Sequence, residues 1–348
     1  GVRHYVAEID PAQAYYFNQF LTTGDEAPLQ ALFAYWAGTA QWGNQQFYDK
    51  VRAIRALNDS LPIDRRIRFV GIDRTQDVAL TGRLIGELVA TMPPTLQATP
   101  GLDSLQRLLA QSDEASAATL APLARRVAQR LPIYLSAPNL STAPLPGLLQ
   151  GLGYLAAPRV RRDSAMLLNL AAAYATHQLE PADKLYGMWG LAHVLQDEFN
   201  HVQMLAGLVR KSDLPCHAGV ASLVTFLLDS KMMMPAGGIP EALRPKDAPS
   251  VDVAMSQDGP LVFAPGVRDL AATTAPHTVT LFHLAAPNSP YAHSQRLAAA
   301  RAPAFGQTML PTKANAVTTD YFQYAVLVRD SPAVRLRPAS ATPTTAAR

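Results

Sequence analysis

The apolar run from Val2 to Ile9 stops at Asp10-Pro11, and that junction constrains the fold more than any other stretch of this 348-residue chain. Asp is a favoured helix N-cap, and Pro fits the first helical position, where its missing N–H has no intrahelical partner to lose. A buried strand handing over directly to a helix, here reaching about Thr22, is the opening of an α/β fold. The pattern recurs. Arg66 to Ile72 reads as a second strand, ends in Gly71-Ile72-Asp73, and is followed by a helix from about Thr75 to Ala90. Leu185 to Trp189 reads as a third, running into Gly190-Leu191-Ala192-His193. Gly219 to Leu228 is a continuous apolar run suited to a strand covered on both faces, and Thr278–Leu284 and Tyr321–Val328 complete the predicted set.

These elements predict an α/β protein with a mainly parallel central sheet flanked by helices. Between the predicted strands lie helices over Asn44–Asn58, where Phe47, Val51, Ile54 and Leu57 recur at helical spacing, and over Arg159–His177 and Phe199–Val209. Residues 93–158 are rich in Leu, Ala, Gln and Arg, contribute no convincing strand, and read as an inserted helical subdomain, a common way to build a lid or substrate wall. The chain then divides into a first part of the core (1–92), the helical lobe (93–158), a second part of the core (159–330) and a Pro-, Ala- and Thr-rich tail (331–348) expected to be disordered. Pro235–Pro260 reads as an exposed loop.

Composition narrows the function classes. Hydrophobic residues at 49% can fill a large core, while 30 Lys+Arg against 27 Asp+Glu leave a net charge of only +3. With no basic run interleaved with aromatics, nucleic acid is not an expected partner. No apolar run reaches the roughly 18 residues of a membrane span. Cys216 is the only cysteine, which excludes an intrachain disulfide and a multi-cysteine zinc site. Nothing here fixes a compartment. The first residues already lie inside a strand and no initiator Met precedes them, so the expectation is that an N-terminal segment has been removed.

Ligands of open α/β sheets bind outside the carboxyl ends of the strands. Glu8, Asp73 and His193 stand at or just past the ends of predicted strands, so they form the candidate set. His193 is the general acid or base, since its ordinary pKa of about 6.5 lets it exchange protons near neutral pH. Arg162 opens the long helix and Asn169 follows two turns later on the same face, placing a guanidinium and an amide toward the same region. For each of these a plain structural role competes: Asp73 as a helix cap, Glu8 paired to an Arg, His193 hydrogen-bonded in the core, Arg162-Asp163 as a solvated pair. Were His193 to His201 all helical, His193, Asp197 and His201 would share a face and could bind a metal. Di-metal bundles need a second Glu-x-x-His pair, and none is present, so no metal and no cofactor is expected.

The order of these pieces resembles the erythromycin-esterase-like family, part of a superfamily that includes ChaN-like haem-binding proteins. The pieces are Tyr5-Val-Ala-Glu8, the segment from Trp42 through Asn58, Ile67-Arg-Phe-Val-Gly71-Ile-Asp73, Arg162-Asp163 with Met166 and Asn169, Gly190-Leu-Ala-His193, Val279-Thr-Leu-Phe and Asp320-Tyr-Phe-Gln-Tyr. The resemblance implies a hydrolytic site in a deep cleft. Glu8 matches the family's acidic residue at a strand end and His193 its second active-site histidine. A further base histidine would lie upstream of Gly1, and the chain as it stands would then be a poor catalyst. The expected function is a metal-independent hydrolase of an ester or related bond acting on a small-molecule substrate through water activated by histidine and carboxylate. The rival is a non-catalytic protein of the same fold that binds a small molecule or haem.

Overall fold

The structure, a computed structural model, describes residues 1–111, 117–131, 144–156, 161–236, 239, 248–259, 261–302 and 307–337. In chain order it begins β1 (His4–Ala7), α1 (Pro11–Thr23), α2 (Ala27–Thr39), α3 (Gln45–Ser60), β2 (Arg68–Gly71) and α4 (Val78–Ala90). Five helices follow, α5 (Pro94–Gln97), α6 (Leu102–Ala110), α7 (Ala117–Arg130), α8 (Leu145–Gly153) and α9 (Arg162–Ala175), and then β3 (Leu185–Met188). The remainder comprises α10 (Leu205–Arg210), β4 (Leu223–Leu228), β5 (Ser230–Pro235), β6 (Ser250–Met255), α11 (Gly266–Ala271) and β7 (Val279–His283). It closes with β8 (Ala300–Ala302), β9 (Gln307–Met309), α12 (Thr318–Tyr321) and β10 (Tyr324–Arg329).

The chain groups into two compact units, the first made of residues 1–22, 61–190 and 212–217, the second of 23–60, 191–211 and 218–348. In the first unit a parallel sheet runs in the order β2-β1-β3. His4 pairs with Arg68 and Leu185, and Ala7 with Gly71 and Met188, so all three carboxyl ends reach the same edge. Every residue of the central strand β1 is buried. Tyr5 stacks on Phe69 at 4.8 Å, and Phe69 on Phe17 of α1 at 4.6 Å, which fastens the first helix to the sheet through aromatic rings. At the amino end of β1, buried His4 places Nε2 2.9 Å from Asp183, which Arg3 also holds at 2.6 Å. Helices α4, α6, α7, α8 and α9 pack in a chain of neighbours, so the helices within 93–158 are built onto α4 and α9.

The second unit has its own three-stranded sheet, β4-β10-β7, with β4 parallel and β7 antiparallel to β10. The late strands therefore do not extend the first sheet, and a single mainly parallel central sheet gives way to two small three-stranded ones, one parallel and one mixed, besides the two-stranded pairs β5–β6 and β8–β9. The burial of β4 explains why. Val224, Phe226 and Leu228 enter the core while Leu223 is 44% exposed, so an apolar run that read as doubly covered is a strand with one buried face. Two further expectations change. The predicted helix over Phe199–Val209 shortens to α10, because Asn200 and His201 take positive φ (45° and 62°) in a turn where Phe199 bridges Val202. Asn200 there accepts from Leu310 N–H at 3.1 Å and His201 N–H donates to Thr312 Oγ1 at 2.8 Å, bonds that hold the non-helical path. The stretch read as a loop, Pro235–Pro260, contains β6, which pairs antiparallel with β5 ending at Pro235, with the middle of that stretch outside the described residues. Residues 331–337 follow a defined path, Arg335 C=O accepting from Gln45 N–H at 2.8 Å and Arg337 lying 3.3 Å over the Tyr48 ring. The rest of the predicted tail lies outside the described residues.

Asn18 of α1 joins helix to strand by copying a backbone. Its Nδ2 donates to Phe69 C=O and its Oδ1 accepts from Phe69 N–H, both at 2.8 Å, so the outward peptide groups of β2 are satisfied by one side chain. Asn18→Ala leaves both peptide groups without these partners and is expected to lower the unfolding free energy by about 2–4 kcal/mol. Asn18→Asp keeps only the acceptor, and urea denaturation should rank wild type above both variants; equal midpoints would remove the bridge from the account.

Candidate active site at the carboxyl edge

The first unit brings four of the sequence-predicted residues together where its parallel strands end. Glu8 follows β1 directly and Asp73 stands two residues past β2. Arg162, the first residue of α9, spans them: its Nη2 lies 2.8 Å from Glu8 Oε1 and also bonds Asp73 Oδ2, while its Nε is 3.1 Å from Asp73 Oδ1. The second oxygen of Glu8 accepts from Gly190 N–H at 2.6 Å, two residues past β3, so this carboxylate ties the ends of β1 and β3 to the start of α9. Asp73, fully buried, also accepts from Arg74 N–H at 2.9 Å and Gln76 Nε2 at 2.6 Å. These contacts, the Asp73 hydrogen bond foremost, push the Arg162 guanidinium above its ordinary pKa, so it is a fixed positive charge.

Asn169 does not reach the carboxylates. Its Nδ2 donates to the carbonyls of Ile72 (2.9 Å) and Asp73 (3.2 Å), which pins the backbone that carries Asp73, and its Oδ1 is buried without a partner. His193 sits in a 3-10 turn, Leu191–Val194, which groups with the second unit; along the chain it is three residues beyond the Gly190 that Glu8 holds. That turn also ends the possible metal face. His193 to His201 is not one helix, and no group of three His, Cys, Asp or Glu among the described residues could hold a metal ion.

Asp10 and Gln76 complete the edge. Asp10 Oδ1 accepts from Gln13 N–H (2.9 Å) and Gln13 Oε1 accepts from Asp10 N–H (3.1 Å), a reciprocal cap at the start of α1. Asp10 Oδ2 reaches across to Gln76 N–H (2.9 Å) and Asp77 N–H (3.4 Å), so one carboxyl joins the loops after β1 and β2. The capping half of this role is written in Asp10-Pro11-Ala12-Gln13; the reach to Gln76 has no local signal. At Gly71 an added Cβ would collide with the Asp10 carbonyl, and at Gly151 of α8 it would lie 2.7 Å from Thr75 Oγ1, so both glycines permit close approach to the same loops.

Two predictions follow from these charges. Burial, only partly offset by its N–H donors, raises the Asp10 carboxyl to about 6. The folded chain then keeps this proton to higher pH than an unfolded chain, whose Asp titrates near 3.9, so the group's contribution to stability falls as pH rises from about 4 to about 6. Relative to the non-titrating Asp10→Asn, wild type should lose about 3 kcal/mol across that window, at about 1.4 kcal/mol per pKa unit, and parallel stability curves would reject the assignment. Arg162→Gln leaves buried Asp73 and nearly buried Glu8 without their shared cation. Allowing for screening at the partly exposed Arg162, the loss should be about 2–4 kcal/mol at neutral pH, read from urea denaturation against wild type.

No family model matches the chain, and no curated protein matches it in sequence. Solved structures do resemble it. A succinoglycan biosynthesis protein superposes with a TM-score of 0.66 at 10% identity, over 97% of this chain and 82% of that one. A Bacillus cereus protein gives 0.62 at 13% identity, over 97% and 83%. A mutant of the erythromycin esterase EreC in its open conformation gives 0.56 at 12% identity, over 98% and 85%. At these identities the likeness is one of fold: this chain is a mixed α/β protein with a fold similar to that of an erythromycin esterase.

Proposed function

We propose that this chain is a hydrolase of the erythromycin-esterase-like type, cleaving an ester or related bond with water activated between histidine and carboxylate. Glu8 and His193 are the catalytic residues, Arg162 binds substrate or braces Glu8, Asp73 holds Arg162, and Asn169 fixes the Asp73 backbone. The observation that carries this reading is the setting of Glu8. It is a nearly buried carboxylate at the edge where α/β sheets bind ligands, held at one oxygen by Arg162 and at the other by Gly190 N–H. One guanidinium shared by two carboxylates leaves this edge with a net negative charge, which suits a site where positive charge develops during a reaction. Asp73 is too enclosed to meet a substrate and serves to hold Arg162 in place. The helices of residues 93–158 form the substrate wall in this reading, supported by the close approach of Gly151 to the loop after Asp73.

A panel of ester and lactone substrates should contain at least one that the wild-type chain hydrolyses, even if slowly. Glu8→Gln and His193→Ala should each lower kcat by about 10²- to 10⁴-fold with unchanged circular dichroism, the range expected when a positioned acid-base group or its partner is lost. Saturable binding of a small molecule or haem without turnover of any ester would replace the hydrolase reading by a binding function. Full turnover in His193→Ala would remove His193 from the mechanism.

A further inference from the structure

We infer that the second unit carries a binding site for a small hydroxylated monocarboxylate, formed where the end of α10 meets α12 and the residues after it. A cleft of about 420 Å³ opens among Gln196, Asp197, Arg210, Lys211, Asp320 and Gln323, within the range of roughly 300–1,000 Å³ typical of small-molecule sites. Its back is a network of amides. Gln196, only 3% exposed, donates to Ser222 Oγ (2.9 Å) and Gln323 Oε1 (2.8 Å) and accepts from Arg210 Nη1 (2.8 Å). The Arg210 guanidinium is therefore aimed by a buried neutral acceptor. Lys211 likewise donates to the amide oxygen of Gln203, and neither cation forms an ion pair among the described residues. Lys211 also interacts with the Asp197 charge, so Arg210, oriented by an amide and in no salt bridge among the described residues, is the main cation left for a ligand, and its guanidinium fork matches the two oxygens of a carboxylate.

The acidic residues of the cleft set the ligand's charge. Asp197 is held by Lys313 Nζ at 2.6 Å and by Glu198 N–H at 2.8 Å, and Asp320 accepts from Val317 N–H at 2.9 Å. A second negative charge on the ligand would face these two carboxylates, so a monoanion fits better than a phosphate dianion. The Thr319 hydroxyl, the Gln323 amide and the spare lone pairs of the carboxylates offer partners to hydroxyl groups, and among the described residues no aromatic ring lines the cleft to stack a base or a ring system. Cations at the end of a short helix also complement its dipole, and ligand binding separates that structural role from a binding one.

Titration calorimetry of the full chain with sodium gluconate, and with inorganic phosphate as a second arm, tests the proposal. Gluconate should bind saturably and more tightly than phosphate. Arg210→Gln should weaken gluconate by roughly tenfold or more, the scale of a lost charged hydrogen bond, and Lys211→Gln by a smaller factor. Among the described residues the Lys211 ammonium bonds the side chain of Gln203 alone, so its variant decides the matter should Arg210→Gln fail to fold. Absence of saturable gluconate binding, tighter binding of phosphate, or unchanged affinity in the Lys211 variant would each overturn the site.

Discussion

The carboxyl edge of the first unit depends on a single guanidinium. Arg162 enters from α9 and closes on Glu8 after β1 and Asp73 after β2. Asp73 is sealed from solvent and would carry a large desolvation cost as an isolated anion, so its burial requires this partner. The dependence is mutual. The helix start is positioned by the charges it neutralises, and Asn169, two turns further along α9, binds the carbonyls of Ile72 and Asp73. Strand end, loop and helix are thereby held as one piece, as precise placement of a reacting group demands.

Around that piece the polar contacts are organised in layers of decreasing exposure. Arg162 is partly open, Glu8 has 12% of its side chain exposed, and Asp73 and Asp10 are enclosed. The open members can meet a ligand and the closed ones keep the loops in register. Gln76 links the layers, touching Asp73 through its side chain and Asp10 through its N–H. A backbone amide, Gly190 N–H, brings the end of β3 into the same arrangement.

Much of this edge was legible in the sequence, for identifiable reasons. The three parallel strands announced themselves because each is a short apolar run that ends in a helix or turn signal, and Asp10-Pro11 is a strong local mark. Arg162 and Asn169 were readable as a pair because helical spacing fixes their shared face. The partition of the strands into separate sheets was not, since pairing is decided by contacts between residues far apart in the chain and apolar runs do not name their partners. The run at Gly219–Leu228 looked doubly covered only because its exposed positions are also apolar. The predicted helix over Phe199–Val209 failed at Asn200 and His201, where side-chain and backbone bonds to residues 308–312 outweigh helical propensity. The Gln76 side chain and the Gly190 N–H contact have no signal in the sequence, because a buried amide or a backbone N–H carries no compositional signature.

The Asn18 amide has a consequence for how this sheet could ever grow. By occupying the outward peptide groups at the middle of β2, a helix side chain takes the place that another strand would use. The β2 side of the sheet is thus closed to recruitment, whether by a swapped segment, a neighbouring molecule or an inserted hairpin. Widening this sheet on that flank would first require releasing Asn18, whereas the other flank, beside β3, carries no such bond from Asn18.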